Sequence, residues 1–448
     1  MNKRFLLKNG EVVHHDRIGR EDVLVSGERI EKVTAGIEPQ EGIQVIDCAG
    51  RLIFPGIIDS HTHMGVPIKR GYSADNFETG SRAALHGGVT TIIDFTVLNE
   101  AQTLTESVNE RLSKAEKSLV DYGIHCNVTR FSPDLLKEIP ALVDMGVISF
   151  KVFTTYREAG MMLSYPQIEQ VAREVARSDG VLMVHAEDDA VLQQAAEPFL
   201  ASRSTLVSDH ARTRPAAAEV AAINRMGNIL EKTNCRGYIV HLTSAAGLTA
   251  AVNFSDLLLE TCPQYLIFDE AVFDRDDGRM FVASPPIKSR DDRAALWQAI
   301  NDGTIHTIGT DHCPFNLTDK PSGIPFQEIP NGMGGVETLF PVLLARFLAE
   351  GSDLCQLVRL LSTHPAEIFG LAPQKGSLDT GSDADIVIVD PKHVSRDWDR
   401  ELASITDWNG YSGLPALFPE HVFRRGEWIV QDSRLRAGSP GQFVPGHI

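Results

Sequence analysis

Six residues of this 448-residue chain have the types and surroundings to hold metal ions: His61, His63, Lys151, His185, His241 and Asp311. His61 and His63, in Asp-Ser-His-Thr-His, stand two apart. On a strand both imidazoles then point the same way, which suits one cation. An isolated His-x-His is about as often a pair of core or surface histidines. His185, in Val-His-Ala-Glu, and His241, in Val-His-Leu-Thr-Ser, each end an apolar run. A lone histidine so placed is more often a satisfied core residue, but the two together would complete a second metal site. Asp311, in Gly-Thr-Asp-His-Cys-Pro, can act as ligand and proton acceptor, and His312 beside it is expected to orient that carboxylate.

Lys151 interrupts Val-Ile-Ser-Phe-Lys-Val-Phe, a run whose pattern predicts burial on both faces. An ammonium there must be paired with a carboxylate, deprotonated or chemically changed. Among histidines a free ammonium would repel cations, whereas a carbamate anion on the same nitrogen could bridge two of them.

These residues need elements to bring them together. Eight short apolar runs alternate with helical stretches: FPGIIDSHTH, VTTIIDFT, DYGIHCNVT, VISFKVFTTY, VLMVHAED, GYIVHLTS, LLLETCPQY and IHTIGTDH. Near-continuous β-branched runs mark parallel strands covered on both sides. Intervening segments such as QTLTESVNERLSKAEKSL and PQIEQVAREVARS have helical periodicity. Eight β/α units imply a closed (β/α)8 barrel, with a doubly wound open sheet as the alternative. In a barrel the site forms at the C-terminal ends of the strands. The six residues belong to runs one, four, five, six and eight, and it is their convergence that carries the argument. Residues 1–54 and 375–448 read as short strands with Asn-Gly, Ser-Gly and Arg-Gly turns, expected to pack as one composite β-sandwich beside a catalytic unit spanning 55–374.

A net charge of -18 and the lack of any basic run exclude nucleic acid as the expected partner. No segment reaches the roughly 20 apolar residues of a membrane span. The opening MNKRFLLKNGEVV has no apolar signal core, so the cytoplasm is expected. The six cysteines show no C-x-x-C pair and suit reduced, buried thiols.

The set DSHTH, FKVF..Y, VHAE, VHLTSA and GTDH resembles the cyclic amidohydrolases. SADNF, TTIIDF, ETCPQYL, SPPIK and IPNGMGGVET extend the similarity nearly end to end and point to the dihydropyrimidinase and hydantoinase subgroup. The resemblance implies a TIM-like barrel with a composite β-sandwich, in a homotetramer or dimer. It further implies two divalent ions, zinc for such a donor set, with His61, His63 and Asp311 on one and His185 and His241 on the other. Carboxylated Lys151 would bridge them. Water activated between the ions would open a cyclic amide: a hydantoin, a 5-substituted hydantoin or a dihydropyrimidine. Asp311 would carry the proton, Tyr156 would stabilise the oxyanion, and Tyr156 with the backbone groups of Ser284 and Asn331 would hold the substrate. Without the resemblance, Ser284 and Asn331 read as turns before Pro-Pro and at Asn-Gly.

The chain departs from the family pattern at Val-Pro-Ile-Lys-Arg-Gly-Tyr, 66–72, and at Phe-Thr-Thr-Tyr, 153–156, which would border the exocyclic substituent; Lys69 and Arg70 would favour an acidic one. Allantoinase or dihydroorotase activity is the alternative within the same chemistry. A mononuclear deaminase would not need Lys151, and a non-enzymatic scaffold relative would lack ligands that are all present here.

Overall fold

The computed structural model describes residues 4–68, 71–199, 203–398 and 402–448. Lys69 and Arg70 lie outside the described residues.

All eight apolar runs form strands of one parallel sheet: β1 (Ile57–Thr62), β2 (Val89–Phe95), β3 (Asp121–Asn127), β4 (Ser149–Phe153), β5 (Val181–His185), β6 (Arg236–Ile239), β7 (Leu257–Thr261) and β8 (Thr307–Ile308). They neighbour one another in chain order, and the barrel closes just beyond the strand ends, where His63 donates its backbone N–H to His312 at 2.9 Å. Every residue of β1 to β5 is buried, which is why these strands read as continuous apolar runs. β6 and β8 are shorter than their sequence runs. The ladder stops where the backbone turns left-handed, with φ of 42° at His241 and 53° at Asp311.

The helices follow the expected periodicity. Tyr165–Arg177 buries Ile168, Val171, Ala172 and Val175, and Ser164 with Gln167 forms a capping box at its start.

Both chain ends contribute to a nine-stranded sheet, the composite sandwich unit. Ile386–Val389 runs antiparallel to Leu52–Pro55, pairing Val387 with Phe54, and this seam joins the two ends. Alternation decides what each face covers. Ile386, Ile388 and Ile53 pack with Phe5, Leu7, Val23 and Phe423 inside the sandwich, while Val387, Val389, Leu52 and Phe54 pack on the barrel. Ser26-Gly27 and Arg425-Gly426 are hairpin turns as expected, but Asn9-Gly10 is not. It is a bulge within the single strand Arg4–Val13, because the missing side chain of Gly10 leaves room for Ile53: a Cβ there would sit 2.4 Å from Ile53 Cδ1. The stretch 375–385 adds no strand. Its Lys375 is instead buried between Asp121 of β3 at 2.5 Å, Asp383 at 2.9 Å and Asp385 at 2.8 Å, tying the barrel to the terminal sheet.

Candidate active site

At the mouth of β1, His61 is fully buried. Its Nδ1 lies 2.6 Å from Glu260 Oε1, at the end of β7. Glu260 also accepts from the Tyr238 hydroxyl at 2.8 Å and the His241 amide at 3.0 Å. With Nδ1 donating to Glu260, the Nε2 lone pair of His61 points inward. There it meets Lys151 Nζ at 3.0 Å and Asp311 Oδ1 at 3.2 Å. His63 Nε2 is 2.9 Å from the same Asp311 oxygen. Asp59 steadies this corner by accepting from the amide of His61 at 3.2 Å and the amide of Thr310 at 3.0 Å.

Lys151 lies mid-strand in β4 with 2% of its surface exposed, its Nζ 4.2 Å from the centre of the Phe95 ring. Burial pushes its amine down to about 8. Neither Asp311 nor Glu260 makes an ion pair with it among the described residues, so the expectation of a simple buried Lys–carboxylate pair finds no support.

On the far side His185 Nδ1 is 3.0 Å from His241 Nε2. The ring centres of His61 and His241 are 5.6 Å apart, so the two histidine pairs form one centre. Burial lowers the basicity of His61, His185 and His241, keeping their lone pairs available. Glu187, two residues after His185, binds its Nε2 at 2.7 Å and is itself paired with Arg214. The Arg214 guanidinium lies 5.4 Å from the centre of the Tyr156 ring, which packs 4.9 Å from that of His185. Burial pushes the Tyr156 hydroxyl up to about 12, so it keeps its proton as a donor, and Ser284 lies beside it.

The donor set fits a cation. One ring nitrogen each of His61 and His63 and a carboxylate oxygen of Asp311 lie within 4.8 Å of one another, and the His61 Nε2 lone pair aimed at that carboxylate is repulsive unless positive charge stands between them. Nδ1 of His241 is buried with no hydrogen-bond partner among the described residues. Burial pushes Glu260 up to about 8 and Asp59 to about 7; a divalent charge at the centre would favour both as anions. A second candidate group, Glu420, His421 and Asp432, lies on the terminal sheet, where Arg51 already occupies Glu420 at 2.5 Å.

Three of these residues, Tyr156, His241 and Asp311, hold a left-handed backbone with φ of 67°, 42° and 53°. Such strain persists only where the surroundings over-determine it, and it gathers at functional sites. The chain matches the amidohydrolase family over residues 52–418. It is 36% identical to the D-phenylhydantoinase of Escherichia coli O1:K1 / APEC, over 98% of each chain. The chain belongs to the amidohydrolase family. Within it, this hydrolase stands with the hydantoinases and dihydropyrimidinases. The crystal structure of dihydropyrimidinase from Brevibacillus agri NCHU1002 superposes with a TM-score of 0.94 at 31% identity, covering 98% of both chains. The L-hydantoinase (dihydropyrimidinase) of Arthrobacter aurescens gives 0.91 at 27%, covering 99% of this chain and 100% of that one.

His61, His63, Lys151, His185, His241, Asp311, Tyr156 and Ser284 of the amidohydrolase all come to one face. Asn331 is exposed, but the next residue, Gly332, donates its amide to Val282 at 3.0 Å, which brings the 331 loop beside the Ser284 loop. His312 does not contact the Asp311 carboxylate among the described residues: its Nδ1 accepts from Gly335 at 3.1 Å and Val336 at 3.3 Å while Nε2 faces Asp75 at 3.3 Å. Cys313 is buried with its thiol pushed up to about 12, as suits a residue outside the chemistry. Glu260, Glu187, Asp59 and Arg214 were not singled out in the sequence. Glu187 and Asp59 stand two residues from a candidate histidine, in VHAE and DSHTH, which was the available signal; Glu260, which opens ETCPQYL, has no such neighbour.

Proposed function

We propose that this chain opens the ring of a hydantoin, a 5-substituted hydantoin or a dihydropyrimidine by metal-assisted hydrolysis. His61, His63 and Asp311 would hold one divalent ion, His185 and His241 a second, with Lys151 as its N6-carboxy derivative between them. Two such ions, zinc for this imidazole-rich set, would supply a water ionised near neutral pH and positive charge beside the attacked carbonyl. Asp311 takes the proton of the attacking water and delivers it to the leaving ring nitrogen, so that water is added across the C–N bond. Tyr156 donates its hydroxyl proton to the oxygen on which charge develops. The backbone groups of Ser284 and Asn331 bind the imide edge of the ring. The observation that carries the reading is the complete donor set around Lys151, in a chain similar from end to end to proteins named hydantoinases.

The family resemblance extends the reading to a homotetramer or dimer in the cytoplasm, acting on a small molecule, with 55–374 as the catalytic unit and 1–54 plus 375–448 as its companion. Lys69 and Arg70 would favour an acidic exocyclic substituent; Lys69→Ala and Arg70→Ala variants with unchanged substituent preference would remove that point.

Purified enzyme assayed on hydantoin, a 5-monosubstituted hydantoin, dihydrouracil, allantoin and dihydroorotate tests the assignment, alongside elemental analysis. Turnover of the first three with about two metal equivalents per subunit is expected. Much faster turnover of allantoin or dihydroorotate, or full activity at one equivalent, would overturn it.

A further inference from the structure

Lys320 is a buried lysine in addition to Lys151 and Lys375, and it lies in none of the motifs quoted above for the family. It stands in Asp-Lys-Pro-Ser-Gly, a polar stretch that reads as an exposed loop, yet none of its surface is accessible. No carboxylate pairs with it among the described residues. Its ammonium instead meets three backbone carbonyls: Met280 at 3.2 Å, Val282 at 2.9 Å and Gly332 at 2.7 Å. Three donors meet three acceptors, so the hydrogen bonding is complete while the charge is not neutralised. The Phe315 ring centre, 5.1 Å away, adds weak compensation. A buried cation without a counter-ion is an expensive way to hold a loop. Burial accordingly pushes its amine down to about 7.

The carbonyls it gathers belong to two loops. Val282 is two residues before Ser284, and Gly332 directly follows Asn331; the Gly332 amide also donates to Val282 at 3.0 Å. Gly332 has φ of 145°, and a Cβ there would lie 2.5 Å from the Cys313 carbonyl oxygen, so the loop packs here too closely for any side chain. The carbonyls on either side of Ser284 are tied as well, Ala283 by His210 Nε2 at 2.8 Å and Pro285 by the Tyr265 hydroxyl at 2.7 Å. The main-chain groups of Ser284 and Asn331 themselves take part in no hydrogen bond among the described residues. Their neighbours are fastened and they are left open.

We propose that Lys320 is a positioning residue, joining the 280–285 and 331–332 loops so that the open backbone groups of Ser284 and Asn331 meet the same imide edge of the substrate. The inference rests on the ring-opening reading above. Its action is on binding geometry, not on the metal centre or the proton transfers.

Lys320→Met removes all three donors at similar length, and Lys320→Gln keeps two. For hydantoin and dihydrouracil, Lys320→Met is expected to raise KM at least tenfold and lower kcat less than threefold, with about two metal equivalents retained. Lys320→Gln should recover part of the KM. Hydrogen–deuterium exchange at the Gly332 amide, measured without substrate, should quicken in Lys320→Met, a result that stands whether or not the wild-type enzyme turns over these rings. Wild-type inactivity on both rings would count against the function; it leaves the loop tie to the exchange measurement. An unchanged KM and unchanged exchange in folded, metal-loaded Lys320→Met would overturn the proposal. So would equal loss of kcat and metal, or failure of both variants to fold, since either makes Lys320 a core residue only.

Discussion

Glu260 accepts the Nδ1–H of His61 at 2.6 Å, reaching from the end of β7 to β1, and the two side chains are wholly buried. The bond selects the His61 tautomer whose Nε2 lone pair faces Lys151 and Asp311, so Glu260 sets the direction of a lone pair proposed to bind metal. Glu260→Gln keeps the volume but weakens the acceptor. Metal affinity should fall by roughly 10- to 100-fold, with activity falling in parallel and recovering at high metal concentration. Titration of chelator-treated protein with zinc measures it; unchanged affinity would refute the role.

Tyr156 carries a proton held by burial, its hydroxyl pushed up to about 12, close to the ring of His185. Tyr156→Phe removes one donor to the developing oxyanion. The expected loss is about a hundred-fold in kcat with KM and metal content near wild type. A mainly raised KM would make the residue a ground-state binder.

Lys151 is the sharpest case. Its amine, lowered to about 8 by burial, has an unprotonated fraction near neutral pH that can add carbon dioxide and release a proton, giving a carbamate. Lys151→Ala should lose metal and activity together while the barrel still folds, and Lys151→Glu should keep part of the metal. Reactivation of apoenzyme by zinc should be faster with bicarbonate than in carbon-dioxide-depleted buffer. A bare amine in a crystal of active, metal-loaded enzyme would remove the bridge.

His210 gives a pH dependence. Burial, reinforced by the Arg214 charge, lowers its imidazole to about 4, while Nε2 donates to the Ala283 carbonyl. The fold holds the neutral form. Its contribution is therefore complete above the unfolded value of about 6.5 and is lost as pH falls from there towards 4, by about 1.4 kcal/mol per pH unit at most. In His210→Gln the decline of Tm between pH 6.5 and 4 should be shallower than in wild type. An equal slope would show that other groups govern acid unfolding.

The eight barrel strands, the helices between them and the six candidate metal-binding residues were legible because each leaves a local mark: a β-branched run, a 3.6-residue period, a histidine, lysine or aspartate within or just beyond an apolar run. Resemblance supplied the roles of Tyr156, Ser284 and Asn331, which carry no such mark. The supporting contacts were decided only by the tertiary structure. His61 and Glu260 are 199 residues apart, and nothing in either segment announces the other. Nothing in Asp-Lys-Pro-Ser-Gly marks Lys320 as buried, because burial depends on what folds over it, here three carbonyls from two other loops. Asn9-Gly10 looked like a turn, yet it lies within one strand because Ile53 fills the space its missing side chain leaves. Periodicity and residue type determine which elements form and which faces they bury. Pairings across the barrel depend on closure, which brings strand ends together only once every strand is in place.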